Sequence, residues 1–268
     1  MRPFIHRRDF LRLAAAGVIA AVSPACGVGT PAGGDPSPAD LKRQHERGRL
    51  NSRPHPPAAG TPPTGLVPLR LSGSDRDGVL YVPPAYYSGR PAPLVLSLHG
   101  AGGSGRRSVR RLRSLADELG LLVLSPDSRD STWDVVRAGF GPDVEFVDRA
   151  LDLVFARYTV DPTRIAVEGF SDGASYALSL GLLNGDRFPN VIAFSPGFVL
   201  AEHRRGRPRC FVSHGIRDTI LPIDQCGRRI VRELRDERYD VRYREFDGGH
   251  EVPSEIARGA VDWLLTPG

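Results

Sequence analysis

Arg164-Ile-Ala-Val-Glu-Gly169-Phe-Ser171-Asp-Gly173 opens the stretch that decides the fold of this 268-residue chain. Residues 164–167 are a short run with the pattern of a buried strand. Residues 174–183 alternate small and apolar side chains and read as a helix packed on a sheet. Between them stands G-x-S-x-G. Strand, tight turn and helix form the context in which such a serine is lifted clear of a sheet edge. The glycines tolerate a strained turn, and the helix start aims backbone N–H groups at the serine oxygen. Outside that context the same pattern is a glycine-rich turn with an idle serine.

The rest of the chain supplies the context. Upstream, residues 94–98 and 121–124 are apolar runs that predict strands, and 107–119 and 144–158 carry helical spacing. Val147, Leu151, Val154 and Phe155 fall on one face of the second helix. Downstream, 191–194, 211–213 and 241–246 read as strands, and 223–237 and 254–265 as helices. Residues 69–71 and 79–82 flank Ser74-Asp-Arg-Asp-Gly78, which predicts a hairpin turn. Apolar runs alternating with amphipathic helices predict an α/β fold with a mainly parallel central sheet and helices on both faces. Residues 195–209, between the strand after the central helix and the next one, are too few for a lid domain. An open site follows.

A serine hydroxyl is a weak nucleophile at neutral pH. It needs a general base, a carboxylate to orient that base, and donors for an oxyanion. Open α/β sheets bind ligands beyond the carboxyl ends of their strands. The candidates are therefore residues just past predicted strand ends. Asp218, in Ser213-His-Gly-Ile-Arg-Asp218, is the candidate acid, with Asp224 as the alternative at a helix start. His250, in Asp247-Gly-Gly-His250-Glu251, is the candidate base; it follows the last strand and opens the last helix. His99 and His214 each precede a glycine at a strand end and are expected to bond to backbone. The oxyanion donors are the backbone N–H groups of Asp172 and Ala101, with Gly102 as alternative, the latter two in His99-Gly-Ala-Gly-Gly103-Ser104. That loop lacks the Lys-Ser/Thr ending of a phosphate-binding loop. Trp133, Phe140 and Phe198 fall in loops at strand ends, as candidates to line the substrate pocket or as ordinary packing residues. No histidine or cysteine spacing makes a metal site, and no cofactor is implied.

His99-Gly-Ala-Gly-Gly103, Gly169-Phe-Ser-Asp-Gly173, Ser213-His-Gly-Ile-Arg-Asp218 and Gly248-Gly-His250 follow one another in an order that resembles the α/β-hydrolase superfamily. Within it the chain is similar to the phospholipase/carboxylesterase and polyhydroxybutyrate-depolymerase-like esterases, over residues 66–268. The resemblance implies an α/β-hydrolase fold and serine carboxylic-ester hydrolysis through Ser171, His250 and Asp218, by way of an acyl-enzyme. It implies a small-molecule or polymer ester as substrate and leaves the ester open, since relatives include carboxylesterases, lysophospholipases, feruloyl esterases and thioesterases. A serine peptidase or amidase on the same fold and a non-catalytic binding protein are the alternative readings.

The N-terminal part reads differently. His6-Arg7-Arg8-Asp9-Phe10-Leu11-Arg12 precedes an apolar stretch over 13–22, well short of the ~20 residues that span a bilayer. Residues 1–25 read as an export signal and resemble the twin-arginine type. The expected location is periplasmic, secreted, or membrane-anchored as a bacterial lipoprotein. Cys26 follows Ser23-Pro24-Ala25 and is a candidate lipidation site, although Ser23 departs from the aliphatic residue usual there. Ordinary cleavage before a free Cys26 is the alternative. Residues 26–65 are rich in Pro and Gly and predict a disordered linker. Residues 1–25 carry Arg2, Arg7, Arg8 and Arg12 against Asp9, so their removal takes the formal charge from +5 to +2. That is no nucleic-acid footprint. Cys210 and Cys226 are predicted at opposite ends of the sheet, and unbridged.

Overall fold

The computed structural model describes residues 46–137, 139–201 and 203–266. The export signal, Cys26 and the first part of the linker lie outside the described residues. In chain order the elements are β1 (Gly65–Pro68), β2 (Gly78–Val82), β3 (Ala92–Leu98), α1 (Gly105–Leu119), β4 (Leu122–Pro126), α2 (Asp134–Arg137), α3 (Pro142–Phe155), β5 (Val160–Phe170), α4 (Asp172–Leu183), β6 (Asn190–Phe194), β7 (Arg209–Gly215), α5 (Gly227–Asp236), β8 (Val241–Phe246) and α6 (Ser254–Leu265).

The apolar runs become the middle of one eight-stranded sheet, ordered β1-β2-β4-β3-β5-β6-β7-β8. Every residue of β3, β4 and β6 is buried, as a strand covered on both faces requires. From β4 to β8 all pairings are parallel, and only β1 and β2 run antiparallel to their neighbours. One face packs Val95, Val123, Ala166 and Ile192 against α1 and α6; the other packs Leu94, Leu96, Val167 and Val191 against α3, α4 and α5. α4 explains the density of that second layer. All but the first of its residues are buried, and Gly181 sits where a Cβ would crowd Val167 and Val191.

Two local expectations shift. The first hairpin strand lies at Gly65–Pro68 rather than 69–71. The Asp77 carboxylate accepts the backbone N–H groups of Arg70 (2.6 Å), Leu71 (2.9 Å) and Ser72 (3.0 Å), and Arg70 takes a φ of 56°. Those N–H groups are satisfied by a side chain, so they join no ladder. α2 was not foreseen. It is tied to the start of α3 by two carboxylates that cap each other's backbone, Asp134 N–H to Asp143 Oδ2 (2.7 Å) and Asp143 N–H to Asp134 Oδ2 (2.9 Å).

Packing also begins upstream of Leu66. Leu50 is buried, and its N–H donates to Asn184 Oδ1 at 3.0 Å. Asn184 Nδ2 returns a bond to the Gly48 carbonyl, Arg49 pairs with Asp186, and Asp148 accepts from Asn51 and Ser52. The two described cysteines are unbridged and buried. Burial pushes the thiols up, to about 12 for Cys210 and about 11 for Cys226.

Candidate active site

β3 and β5 are neighbours, but the chain leaves β3 toward β4 and leaves β5 toward β6. Beyond their carboxyl ends lies the switch point where open α/β sheets form a crevice. Ser171 stands there, between β5 and α4, with φ 59° and ψ −121°. Such a backbone costs a non-glycine residue about 1–3 kcal/mol. The surroundings impose it. Ser171 N–H donates to the Phe194 carbonyl at 3.0 Å. A Cβ on Gly169 would strike the Gly173 carbonyl, and one on Gly173 would strike the carbonyls of Leu98 and His99. The two glycines thus let the turn close on itself and the start of α4 rest on the end of β3.

The loop after β3 lies against this turn, where a Cβ on Gly100 would sit 3.4 Å from Ser171 Cβ. His99 Nδ1 donates to the Gly100 carbonyl (2.7 Å), and its Nε2 accepts from Ser128 N–H (3.0 Å). Burial holds His99 below the usual histidine range, outweighing the Gly100 carbonyl, so the ring stays neutral in this role. Gly102 N–H is already taken by the Ser131 carbonyl at 2.7 Å. That removes the alternative oxyanion donor. The N–H groups of Ala101 and Asp172 have no partner among the described residues.

Base and acid arrive from the far side of the sheet. A Cβ on Gly215, at the end of β7, would collide with the carbonyls of Gly248 and Gly249, so that glycine admits the loop after β8. His250 rides on this loop, with its ring 4.8 Å from that of Phe170. It precedes α6 by four residues instead of opening it. His250 Nε2 is 2.8 Å from Ser171 Oγ, and Nδ1 is 2.7 Å from Asp218 Oδ2. Asp218 Oδ1 accepts the N–H groups of Ile220 (2.9 Å) and Leu221 (2.8 Å). Burial alone would raise the Asp218 carboxyl, but bonds from His214, His250 and Leu221 N–H outweigh it. The group lies well below the usual carboxylate range. Asp224 is exposed and pairs with Arg228 at 2.9 Å, away from this constellation.

The three aromatic candidates do not line an open pocket. Trp133, Phe140 and Phe198 are all buried in the core. Their loops fold inward onto α4. Trp133 stacks 4.9 Å from both His99 and Tyr176 and donates Nε1–H to the His99 carbonyl at 2.8 Å, and Phe140 lies 6.0 Å from Tyr176. Trp133 therefore braces the loop carrying Ala101 from behind. Two groups at the site were missed. Thr132 Oγ1 donates to Asp172 Oδ2 at 2.6 Å. His214 bonds to backbone as expected, through Leu221, but also faces Asp218. A Thr-Trp pair after Asp-Ser offers no local signal of the first. The second was visible only as a histidine four residues before the acid. The segment between β6 and β7 is pinned to α4: Ser175 Oγ accepts from Gly197 N–H (2.9 Å) and Ser179 Oγ from Leu200 N–H (2.8 Å).

Over part of its length the chain is similar to known esterases. The Esterase family model ("Putative esterase") matches residues 71–203, which hold Ser171 and the Ala101 loop. Feruloyl esterase C of Emericella nidulans is 26% identical over 62% of this chain and 65% of its own length. The S-formylglutathione hydrolase of Mus musculus is 28% identical over 44% of this chain and 50% of its own. The chain thus spans less than two thirds of the length of these curated relatives. Among solved structures, the CE1 ferulic acid esterase of Anaeromyces mucronatus superposes with a TM-score of 0.57 at 16% identity, covering 82% of this chain and 94% of that one. The fold is the α/β-hydrolase fold that these solved esterases share, and just under half of the chain matches the Esterase family model.

Proposed function

We propose that the protein is an exported serine carboxylic-ester hydrolase. The observation that carries this is the unbroken relay from Ser171 Oγ through His250 to Asp218, at 2.8 and 2.7 Å. Ser171 attacks the ester carbonyl. His250 takes the serine proton and passes it to the leaving alcohol, while Asp218 holds the ring and offsets the imidazolium charge. The N–H groups of Asp172 and Ala101 receive the oxyanion. Water, activated by His250, then releases the acid from the acyl-enzyme.

Ala101 and Gly102 are exposed beside the nucleophile, and residues 197–200 are held down on α4. Both favour short acyl esters, or esters carried on a polymer, over buried lipid chains. The feruloyl esterase relatives make a feruloyl ester a natural member of that class. Export rests on the twin-arginine-like segment, with Cys26 as the lipidation candidate. Among the described residues no helix is long and apolar enough to cross a membrane.

A fluorophosphonate probe tests the reading. Wild type should label and Ser171→Ala should not, and p-nitrophenyl acetate turnover should vanish with the label. Equal labelling of both proteins would sink the proposal. Faster turnover of an amino-acid anilide than of the acetate would replace it with an amidase.

A further inference from the structure

His214 is the last residue but one of β7 and is wholly buried. Its Nε2 lies 2.7 Å from the Leu221 carbonyl oxygen and 3.3 Å from Asp218 Oδ2. Both neighbours are acceptors, so Nε2 carries the proton and shares it between them. The other ring nitrogen, Nδ1, is buried without a hydrogen-bond partner. It abuts Gly227, where a Cβ would stand 2.6 Å away. A buried nitrogen left unpaired is a standing cost to the fold. A leucine at this position would avoid it.

We propose that His214 is a positioning residue for the ester hydrolysis described above, its Nε2–H fixing the Asp218 carboxylate against His250 and drawing off part of its negative charge. The inference rests on Asp218 being the acid of that reaction. A carboxylate offers about four acceptor directions. Ile220 and Leu221 N–H groups fill those of Oδ1, His250 fills one of Oδ2, and His214 Nε2 stands 3.3 Å from that same oxygen. Removing the backbone donors would unmake the loop, and removing His250 would unmake the base. His214 is the donor that sets the carboxylate's orientation and charge without itself touching serine or substrate.

A carboxylate relieved of some charge by a second donor stabilises an adjacent imidazolium less. Without His214, His250 should hold its proton to higher pH. The other ionisable groups here are Asp172, facing His250, Cys226 at the start of α5, near Asp218, and Glu245 on β8, near His214. Glu245 is tied to Arg228 at 2.6 Å. None of these donates to Asp218 Oδ2.

The experiment compares wild type, His214→Leu and His214→Gln. It reads kcat and KM on p-nitrophenyl acetate from pH 5 to 9 and follows the His250 ring resonances by NMR over the same range. In His214→Leu, kcat should fall about 10- to 100-fold, as expected for a lost bond to a charged group. KM should hold, and the acid limb of the profile should move to higher pH. His214→Gln keeps an N–H donor and should restore both within a few-fold. A folded His214→Leu with the wild-type profile overturns the proposal, as do equal losses in both variants with no movement of the limb. Should His214→Leu not fold, 15N spectra of wild type decide: a proton on Nε2 of His214 is required, and one on Nδ1 overturns it. An inactive wild type whose His250 titration still moves in His214→Leu would remove the ester-hydrolase reading and leave the positioning role standing.

Discussion

At the scale of the residue, the site turns on a carboxylate with no exposed side-chain surface. The Asp218 side chain is fully buried, yet it stays ionised because donors meet both of its oxygens. An amide of the same shape accepts through one atom and repels the His250 Nδ1–H with the other, and it supplies no charge. Asp218→Asn should therefore lower kcat by about 10⁴-fold with little change in KM, measured by steady-state kinetics on p-nitrophenyl acetate. A loss smaller than tenfold would move the acid's role to another group. That Ser171, Asp218 and His250 would meet was legible in the sequence because each follows a strand, in the order Ser, Asp, His. The pocket aromatics were not. A position at a strand end does not say whether the loop turns toward solvent or back over the sheet. At Trp133 the stack with Tyr176 on α4, forty-three positions on in the chain, decides it.

At the scale of the element, α2 and the start of α3 are joined by a clasp of two acids. Burial and the neighbouring Asp143 carboxylate push Asp134 up to about 7. An unfolded chain gives up that proton near pH 4. Between about pH 4 and 7 the folded form binds the extra proton, so this group's contribution to stability falls as pH rises through the window and levels off above it. Asp134→Asn retains an oxygen for the Asp143 N–H and cannot ionise. Its melting temperature should change less between pH 5 and 8 than that of wild type, and at pH 8 it should match or exceed it. An unchanged slope in a thermal scan series would exclude Asp134 as the source. Sequence periodicity gave no hint of α2, because four residues make barely one turn. The long parallel strands were plain, because burial on both faces leaves an unbroken apolar run. β1 was misplaced because apolar residues near 69–71 suit a strand, while the Asp77 carboxylate that claims their N–H groups lies several residues on.

At the scale of the whole molecule, the fold gathers a segment whose composition gave no reason to expect packing. Among the described residues of this Pro-rich stretch Leu50 carries the apolar contact, and periodicity needs more than one residue to register. Leu50→Ala should lower stability by about 2–4 kcal/mol in urea denaturation, with kcat and KM unaltered. A change under about 0.5 kcal/mol, the size of an ordinary surface substitution, would show that the segment rests on the domain without supporting it.

The same anchoring sets a direction. Gly48 and Leu50 meet α4 at Asn184, its C-terminal cap, while Ser171 sits at its N-terminal cap. Twelve helical residues place those ends ~18 Å apart. Gly48 and Leu50 thus lie at the floor of the sheet, with Ser171 on the roof. A fused partner or an immobilising bead attached beside Gly48 would act as a handle on the side away from Ser171, leaving that residue turned outward to bulky material that arrives from the other side.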